Sequence, residues 1–288
     1  MKKILSDIMP GDLHCHTKLS DGSVSLEELV ALAKNAGLKT IAVTDHDTLA
    51  GAMRAKMLGQ RAGINVIPGV EFSCKNPETD RKVHLLCYLP EFPDRLQGLC
   101  RDISNRRKVA GQKMAAEVMK RYPLPVGIIK RWIQGSTNIY KQHIMMALME
   151  AGYTTTIYGE LYERLFGKDG VAVVKKDFPD VRDVMTQIHE AGGLAVMAHP
   201  WLYDSVELIP ELAGLGLDGI EVWHDSANEE QTDKLIEIAK KYDLCMTGGS
   251  DFHGMMSPKP NPIGSKVVAD IFVDRLIAAK KHRLQMMK

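Results

Sequence analysis

Short apolar runs recur along the chain, most of them flanked by Gly, Pro or Asp and followed by a stretch of helical periodicity. The runs are Asp12–His16, Thr40–Thr44, Asn65–Val70, Val83–Leu89, Leu194–Ala198, Gly219–Trp223 and Leu244–Gly248. Several are continuously apolar, the pattern of strands buried on both faces of a parallel sheet. Amphipathic helices are predicted over Leu49–Ala62, Val181–Ala191 and Asn228–Tyr242. Another opens at Ser25, with Glu28 three positions on as in a capping box, and stops at Gly37. Seven strands alternating with helices predict an α/β barrel rather than a sandwich.

The alternation breaks between about Leu96 and Gly170. Helical periodicity persists there (Ile103–Arg121, Lys141–Gly152, Ile157–Gly167) with no convincing strand. The predicted organisation is therefore a barrel made of residues 1–95 and 171–288, with a helical insertion, 96–170, lining a substrate cleft. Residues 101–131 hold nine Lys or Arg against Asp102 and Glu117, a local net charge of +7. Most of these cations belong to a solvated helix face. Beside a charged site they would also attract a phosphorylated substrate.

The strand ends carry the candidate chemistry. His14 and His16 form an H-x-H pair whose period of two sends both imidazoles to one side of a strand, with Asp21 following in a Ser-Asp-Gly turn. The second strand runs into Thr44-Asp45-His46-Asp47, and the third into Gly69-Val70-Glu71. His84 lies in Val-His-Leu-Leu, His199 follows Leu-Ala-Val-Met-Ala, and Asp251 and His253 follow Thr247-Gly248-Gly249-Ser250. In α/β barrels the C-terminal strand ends converge on one mouth, so these distant groups can meet. Burying them unpaired would cost several kcal/mol each, which calls for something positive among them. Imidazoles mixed with carboxylates, without thiolates, suit Zn, Mn or Fe. Nine ligands exceed what one ion takes and match about two or three divalent ions sharing a carboxylate.

Composition narrows the setting. The formal net charge is only +1, so affinity for phosphate or nucleic acid must come from a local patch. Cys15, Cys74, Cys87, Cys100 and Cys245 are scattered without a C-x-x-C pair, which argues against a disulfide framework and for the reducing cytoplasm. The positively charged start, MKKILSDIMPGD, is followed by no apolar run of signal-peptide length, and no run is long enough to span a membrane. No obligate protein partner is evident.

The strings Asp-Leu-His-Cys-His-Thr-x-Leu-Ser-Asp-Gly, Thr-Asp-His-Asp-Thr, Gly-Val-Glu-Phe-Ser, Ala-His-Pro and Gly-Ser-Asp-Phe-His-Gly strongly resemble the polymerase and histidinol phosphatase (PHP) family, and its small stand-alone phosphoesterases above all. The resemblance spans about residues 11–90 and 190–255. It implies a distorted seven-stranded (β/α)7 barrel, related to the TIM barrel, with a trinuclear metal centre. By this analogy His14, His16, Glu71 and Asp251 hold one ion. Glu71, His84 and His199 hold a second, with Glu71 bridging, and Asp21, His46 and His253 hold a third. Family members hydrolyse phosphate esters, among them nucleoside 3′,5′-bisphosphates, histidinol phosphate and ribose cyclic phosphates, and some trim RNA 5′ ends.

The implied activity is metal-dependent hydrolysis of a small phosphorylated substrate, of the nucleoside 3′,5′-bisphosphate or ribose cyclic phosphate type, with a metal-bridging hydroxide as nucleophile. Glu71 and Asp251 are catalytic candidates through the metals, and His224, closing the sixth strand, is a candidate general acid or phosphate contact. Lys141 and His143, opening a helix in the insertion, and Arg107 in the basic stretch complete the candidate substrate contacts. Relatives often carry Arg-Pro-His where this chain has Lys141-Gln142-His143. Asp45 and, less so, Asp47 are expected to orient a metal-bound imidazole. Three other readings share these motifs: a 5′–3′ exoribonuclease working on RNA ends, amidohydrolase-type chemistry, and a non-catalytic module that keeps metals for stability.

Overall fold

The computed structural model describes residues 10–287. Residues 1–9, with the charged start and the first part of the predicted barrel segment, lie outside the described residues. Seven strands form a single sheet in sequential order: β1 (Gly11–Cys15), β2 (Thr40–Val43), β3 (Asn65–Asn76), β4 (Arg81–Tyr88), β5 (Leu194–Met197), β6 (Gly219–Trp223) and β7 (Cys245–Gly248). The sheet curls until the segment after β7 meets β1. There the His16 amide donates to the Phe252 carbonyl (2.9 Å) and the Phe252 amide to the His14 carbonyl (3.2 Å). The result is a nearly closed, distorted (β/α)7 barrel. Every residue of β1, β2, β5 and β7 is buried, as continuous apolar runs require of strands covered on both faces.

One expectation is overturned. The sheet is not wholly parallel, because β4 runs antiparallel to both β3 and β5. Only residues 77–80 connect β3 to β4, enough for a hairpin and too few for a crossover.

The helices around the barrel are α1 (Leu26–Asn35), α2 (Ala52–Ala62), α7 (Val181–Glu190), α8 (Ile209–Gly214), α9 (Glu229–Lys241) and α10 (Asp270–Met286). The capping box at Ser25 is present: its Oγ accepts from the Glu28 amide (3.2 Å), and its own amide donates to Glu28 Oε2 (2.6 Å). The helix stops where Gly37 takes φ +73°, a left-handed conformation that a side chain would strain.

Between β4 and β5 lie α3 (Gln97–Arg121), α4 (Val126–Trp132), α5 (Lys141–Glu150) and α6 (Glu160–Phe166). The first half of α3 packs Leu99 and Ile103 into the barrel core, whereas Met114 and Val118 join Ile144, Met145, Leu148 and Leu165 in a separate apolar cluster. The methionines of this stretch are core filler. Met256, from the segment after β7, also packs into that cluster, and the Tyr158 hydroxyl donates to its carbonyl (2.8 Å). The two halves of the molecule thus meet beside the C-terminal strand ends.

Candidate metal centre

The period-two geometry of β1 sends His14 and His16 into the barrel mouth, both wholly buried. Glu71 reaches them from β3 and is also wholly buried. Its Oε2 lies 3.3 Å from His14 Nε2, 3.2 Å from His16 Nε2 and 3.1 Å from His46 Nδ1. Its Oε1 lies 2.7 Å from His84 Nδ1 and 2.9 Å from His199 Nε2. One carboxylate therefore faces five imidazoles. Asp251 closes the set, with Oδ1 3.4 Å from His14 Nε2 and 3.1 Å from His16 Nε2. Asp21 stands on the far side, 3.3 Å from His253 Nε2 and 3.9 Å from His46 Nε2.

Backbone strain concentrates at this mouth. Asp47, His199 and Asp251 all take positive φ (56°, 28° and 51°), which non-glycine residues hold only when their surroundings fix them. Gly249 lies so close beneath β1 that a Cβ there would collide with His14. A buried carboxylate, Asp12, pins the same joint by accepting from the Ser250 amide (2.9 Å), the Ser250 hydroxyl (2.6 Å) and the Gly264 amide (2.8 Å).

Several groups suit a cation. His14, His16, Glu71 and Asp251 each offer one atom to a common point; so do His16, Asp21, His46 and His253, and so do His46, Glu71 and His84. Ligands bonded at about 2.1 Å to one tetrahedral ion stand roughly 3.4 Å apart, close to the 3.1–3.4 Å spacing in the first group. The buried atoms His14 Nε2, His16 Nε2, Asp21 Oδ1, His46 Nδ1, Glu71 Oε2 and Asp251 Oδ1 find no hydrogen-bond partner. Orphaned acceptors packed this closely repel one another unless a positive charge lies among them. The field points the same way: burial disfavours a charged His16, yet Asp251 and Glu71 raise its pKa to about 10.

The imidazole tautomers sort the histidines by role. His14 Nδ1 lies 3.0 Å from Glu221 Oε1 and His253 Nδ1 lies 2.8 Å from the Asp251 carbonyl. Each Nδ1 therefore carries the proton and leaves Nε2 as a bare donor facing the centre. His224 is the reverse. Its Nδ1 accepts the Ser226 amide (3.0 Å), so its Nε2 keeps a proton and aims it toward Asp251 Oδ2, 3.5 Å away.

The nine predicted metal ligands and His224 are thus brought together, and the remaining candidates are not. Lys141 Nζ turns into the insertion, donating to the Phe166 carbonyl (3.0 Å) above the Tyr162 and Phe166 rings. His143 accepts the Tyr140 amide (3.3 Å) at the start of α5 and faces a pocket with Lys18, Arg131 and Trp132. Between them it is Gln142 that reaches the cleft. Arg107 is buried in an ion pair with Asp47 (2.6 Å) and a hydrogen bond to Ser73. Asp45 touches no imidazole directly: it accepts from the Thr17 amide (2.8 Å), the Thr17 hydroxyl (2.7 Å) and the Ser20 hydroxyl (2.7 Å), holding the loop that carries Asp21. The carboxylate that orients an imidazole is Glu221, absent from the sequence-based set. Its one signal was a charge inside the apolar strand Gly-Ile-Glu-Val-Trp.

The cleft over the centre has a volume of about 300 Å³ and is walled by Gln142 and Tyr158 from the insertion, Leu202 and Tyr203 after β5, and Ser226 and Asn261. A roomier cavity of about 620 Å³ lies behind Asp47, lined by Leu49, Met53, Pro93 and Cys100, away from the imidazoles.

Comparison with known proteins agrees with this geometry. The family model described as PHP domain matches residues 12–198. A phosphoribosyl 1,2-cyclic phosphate 1,2-diphosphodiesterase of Eggerthella lenta is 37% identical over 260 residues, covering 90% of this chain and 99% of that protein. A 5′–3′ exoribonuclease of Haemophilus influenzae is 31% identical over 250 residues, 84% of this chain and 89% of its own length. A crystal structure from Bifidobacterium adolescentis, described as a metal-dependent phosphoesterase, superposes with a TM-score of 0.85 at 28% identity, over 93% of this chain and 96% of that one.

Proposed function

Since the chain belongs to the PHP domain family, we propose that this metal-dependent phosphoesterase hydrolyses a small phosphorylated substrate, a ribose cyclic phosphate or nucleoside 3′,5′-bisphosphate. The observation that carries the reading is Glu71, wholly buried, with each oxygen turned to a different set of imidazoles. The cleft of about 300 Å³ above it has room for a sugar phosphate. The similarity to the Eggerthella lenta enzyme, which extends over nearly all of that protein, supports the cyclic phosphate type.

We assign the centre about two or three divalent ions, Mn, Fe or Zn. His14, His16, Glu71 and Asp251 would hold one ion; Glu71 and His84, with His199 or His46, a second; and Asp21, His46 and His253, with His16, a third. Bound there, such ions lower the pKa of water toward neutral and offset charge on phosphoryl oxygens. The chain's own groups do the rest. Glu221 and the Asp251 carbonyl fix two imidazoles in the donor tautomer, and Tyr203 and Leu202 restrict water above the cleft. His224 presents an N–H to the leaving oxygen or to the phosphate. Residues 96–170, whose later helices have an apolar core of their own, act as a subdomain that walls the cleft. Among the described residues no helix is long and apolar enough to cross a membrane, and all five cysteines are free. Both fit work in the reducing cytoplasm.

The exoribonuclease reading is the second one, favoured by the Haemophilus influenzae relative. Metal-replete protein assayed with a ribose cyclic phosphate, a nucleoside 3′,5′-bisphosphate and a short 5′-phosphorylated RNA separates them. Turnover of a small ester is expected. Activity on the RNA alone would transfer the assignment to RNA ends, and no turnover on any of the three would leave a non-catalytic metal module.

A further inference from the structure

Asp47 follows the metal-facing His46 and holds a left-handed backbone, φ +56°. A residue with a side chain keeps that conformation only where its neighbours fix it. Here the neighbours are on β3. The Asp47 amide donates to the Glu71 carbonyl (3.0 Å), Oδ1 accepts the Ser73 amide (2.8 Å), and Oδ2 accepts the Ser73 hydroxyl (3.3 Å). Residues 46 and 47 are thereby stitched to the segment that carries Glu71, and His46 Nδ1 is held 3.1 Å from Glu71 Oε2. The oxygens of Asp47 are occupied by Ser73 and Arg107, so it acts on His46 through the backbone and not by touching the ring.

The clamp is closed from the insertion. Arg107, on α3, donates from Nε to Asp47 Oδ2 (2.6 Å) and from a terminal nitrogen to the Ser73 hydroxyl oxygen. Two rings set its place: the guanidinium carbon lies 5.0 Å from the Tyr140 centroid and 5.4 Å from that of Phe178. The Tyr140 ring, at the start of α5, also lies near-parallel to the His46 imidazole (centroids 6.2 Å, planes 21° apart). Among the described residues Arg107 is the one buried arginine. A planar fork that meets a carboxylate and a hydroxyl at once fixes direction as well as charge, which an ammonium does not.

We propose that Arg107 is a positioning residue of the metal centre: acting through Asp47, it fixes the turn that presents His46 to the ions. This rests on the metal-dependent phosphoesterase reading and deepens it, because the insertion then sets metal geometry as well as walling the cleft. His46 belongs to two of the three ligand groups, one with His16, Asp21 and His253 and one with Glu71 and His84. The group of His14, His16, Glu71 and Asp251 does without it. Loss of the Arg107 fork should therefore weaken the ions that His46 shares and spare the other.

The test is Arg107→Lys, which keeps a charge beside Asp47 and loses the fork. Metal-free wild type and variant are titrated with Mn by calorimetry, and kcat and KM are measured with a ribose cyclic phosphate and a nucleoside 3′,5′-bisphosphate at limiting and saturating Mn. R107K is expected to bind one ion as the wild type does and the others about 10–100-fold more weakly. Its kcat should fall at limiting Mn and return at saturating Mn, with KM near the wild-type value. Val118→Ala, a cavity in the insertion's own apolar cluster, controls for general loosening: it should lower Tm and leave the titration unchanged. A wild-type titration in R107K, a rise in KM alone (the mark of a substrate contact), or an equal loss of metal affinity in V118A would overturn the proposal. Should R107K fail to fold, Asp47→Asn repeats the test, since asparagine tolerates the left-handed turn and gives up the charge. The same ions should weaken there, and an unchanged titration overturns the proposal. A wild type that binds no Mn would instead overturn the metal-centre reading. No turnover of either ester by Mn-loaded wild type would overturn the phosphoesterase reading and leave the titration to decide the role of Arg107.

Discussion

Glu221 Oε1 lies 3.0 Å from His14 Nδ1, both residues wholly buried, while Glu221 Oε2 accepts the His199 amide at 2.8 Å. One carboxylate that belongs to none of the three ligand groups thus sets the ring orientation of one imidazole and the backbone of another. Outer partners of this kind tune metal affinity by roughly 10–100-fold. Glu221→Gln should weaken metal binding by about that factor, with activity returning at higher metal concentration. Metal titration followed by calorimetry checks it, and unaltered affinity would refute the role.

His224 differs from His14 and His253 because Nε2, not Nδ1, holds its proton. His224→Asn should lower kcat by roughly 10²–10⁴-fold, the span of a general acid, while leaving bound metal at the wild-type amount. Elemental analysis beside steady-state kinetics reads both quantities. Loss of metal along with activity would instead mark His224 as a ligand.

Asp47 and Arg107 form a buried pair at 2.6 Å, with Ser73 bonded to both. Arg107→Met would strand a buried carboxylate, a change worth about 3–5 kcal/mol of stability. Urea unfolding should show that loss. A cost under about 1 kcal/mol, the range of exposed pairs, would mean the pair is solvated in solution.

Much of this was legible in the chain. The H-x-H pair could be placed because a strand's period of two leaves imidazoles at i and i+2 no choice of side. His199 and Asp251 follow β5 and β7 so closely that the strand ends locate them, whereas Glu71, expected at the end of the third strand, lies inside β3, which runs on to Asn76. What sequence could not supply was rotation and hydrogen-bond partnership. The periodicity of α5 does not say which of Lys141, Gln142 and His143 faces the barrel, and Gln142 does. Asp45 reads as an imidazole's partner until Thr17 and Ser20 occupy its oxygens. The antiparallel turn into β4 hides in the brevity of residues 77–80, and Glu221 in a strand that otherwise looks like core.

Ions held only by the folded chain must add to its stability. Removing them with a chelator should lower Tm by several degrees, since saturation at about 100 times Kd contributes about 2.7 kcal/mol. Readdition of Mn, Fe or Zn should restore it, and scanning calorimetry compares the ions directly. A Tm indifferent to chelation and readdition would contradict a resident metal centre.

The central claim is that Glu71 is shared between ions. Metal content and phosphoesterase turnover measured together on wild type and Glu71→Ala test it most directly. The account predicts about two or three ions per wild-type chain, loss of at least one in the variant, and no detectable turnover. A folded Glu71→Ala protein with undiminished metal and activity would contradict it.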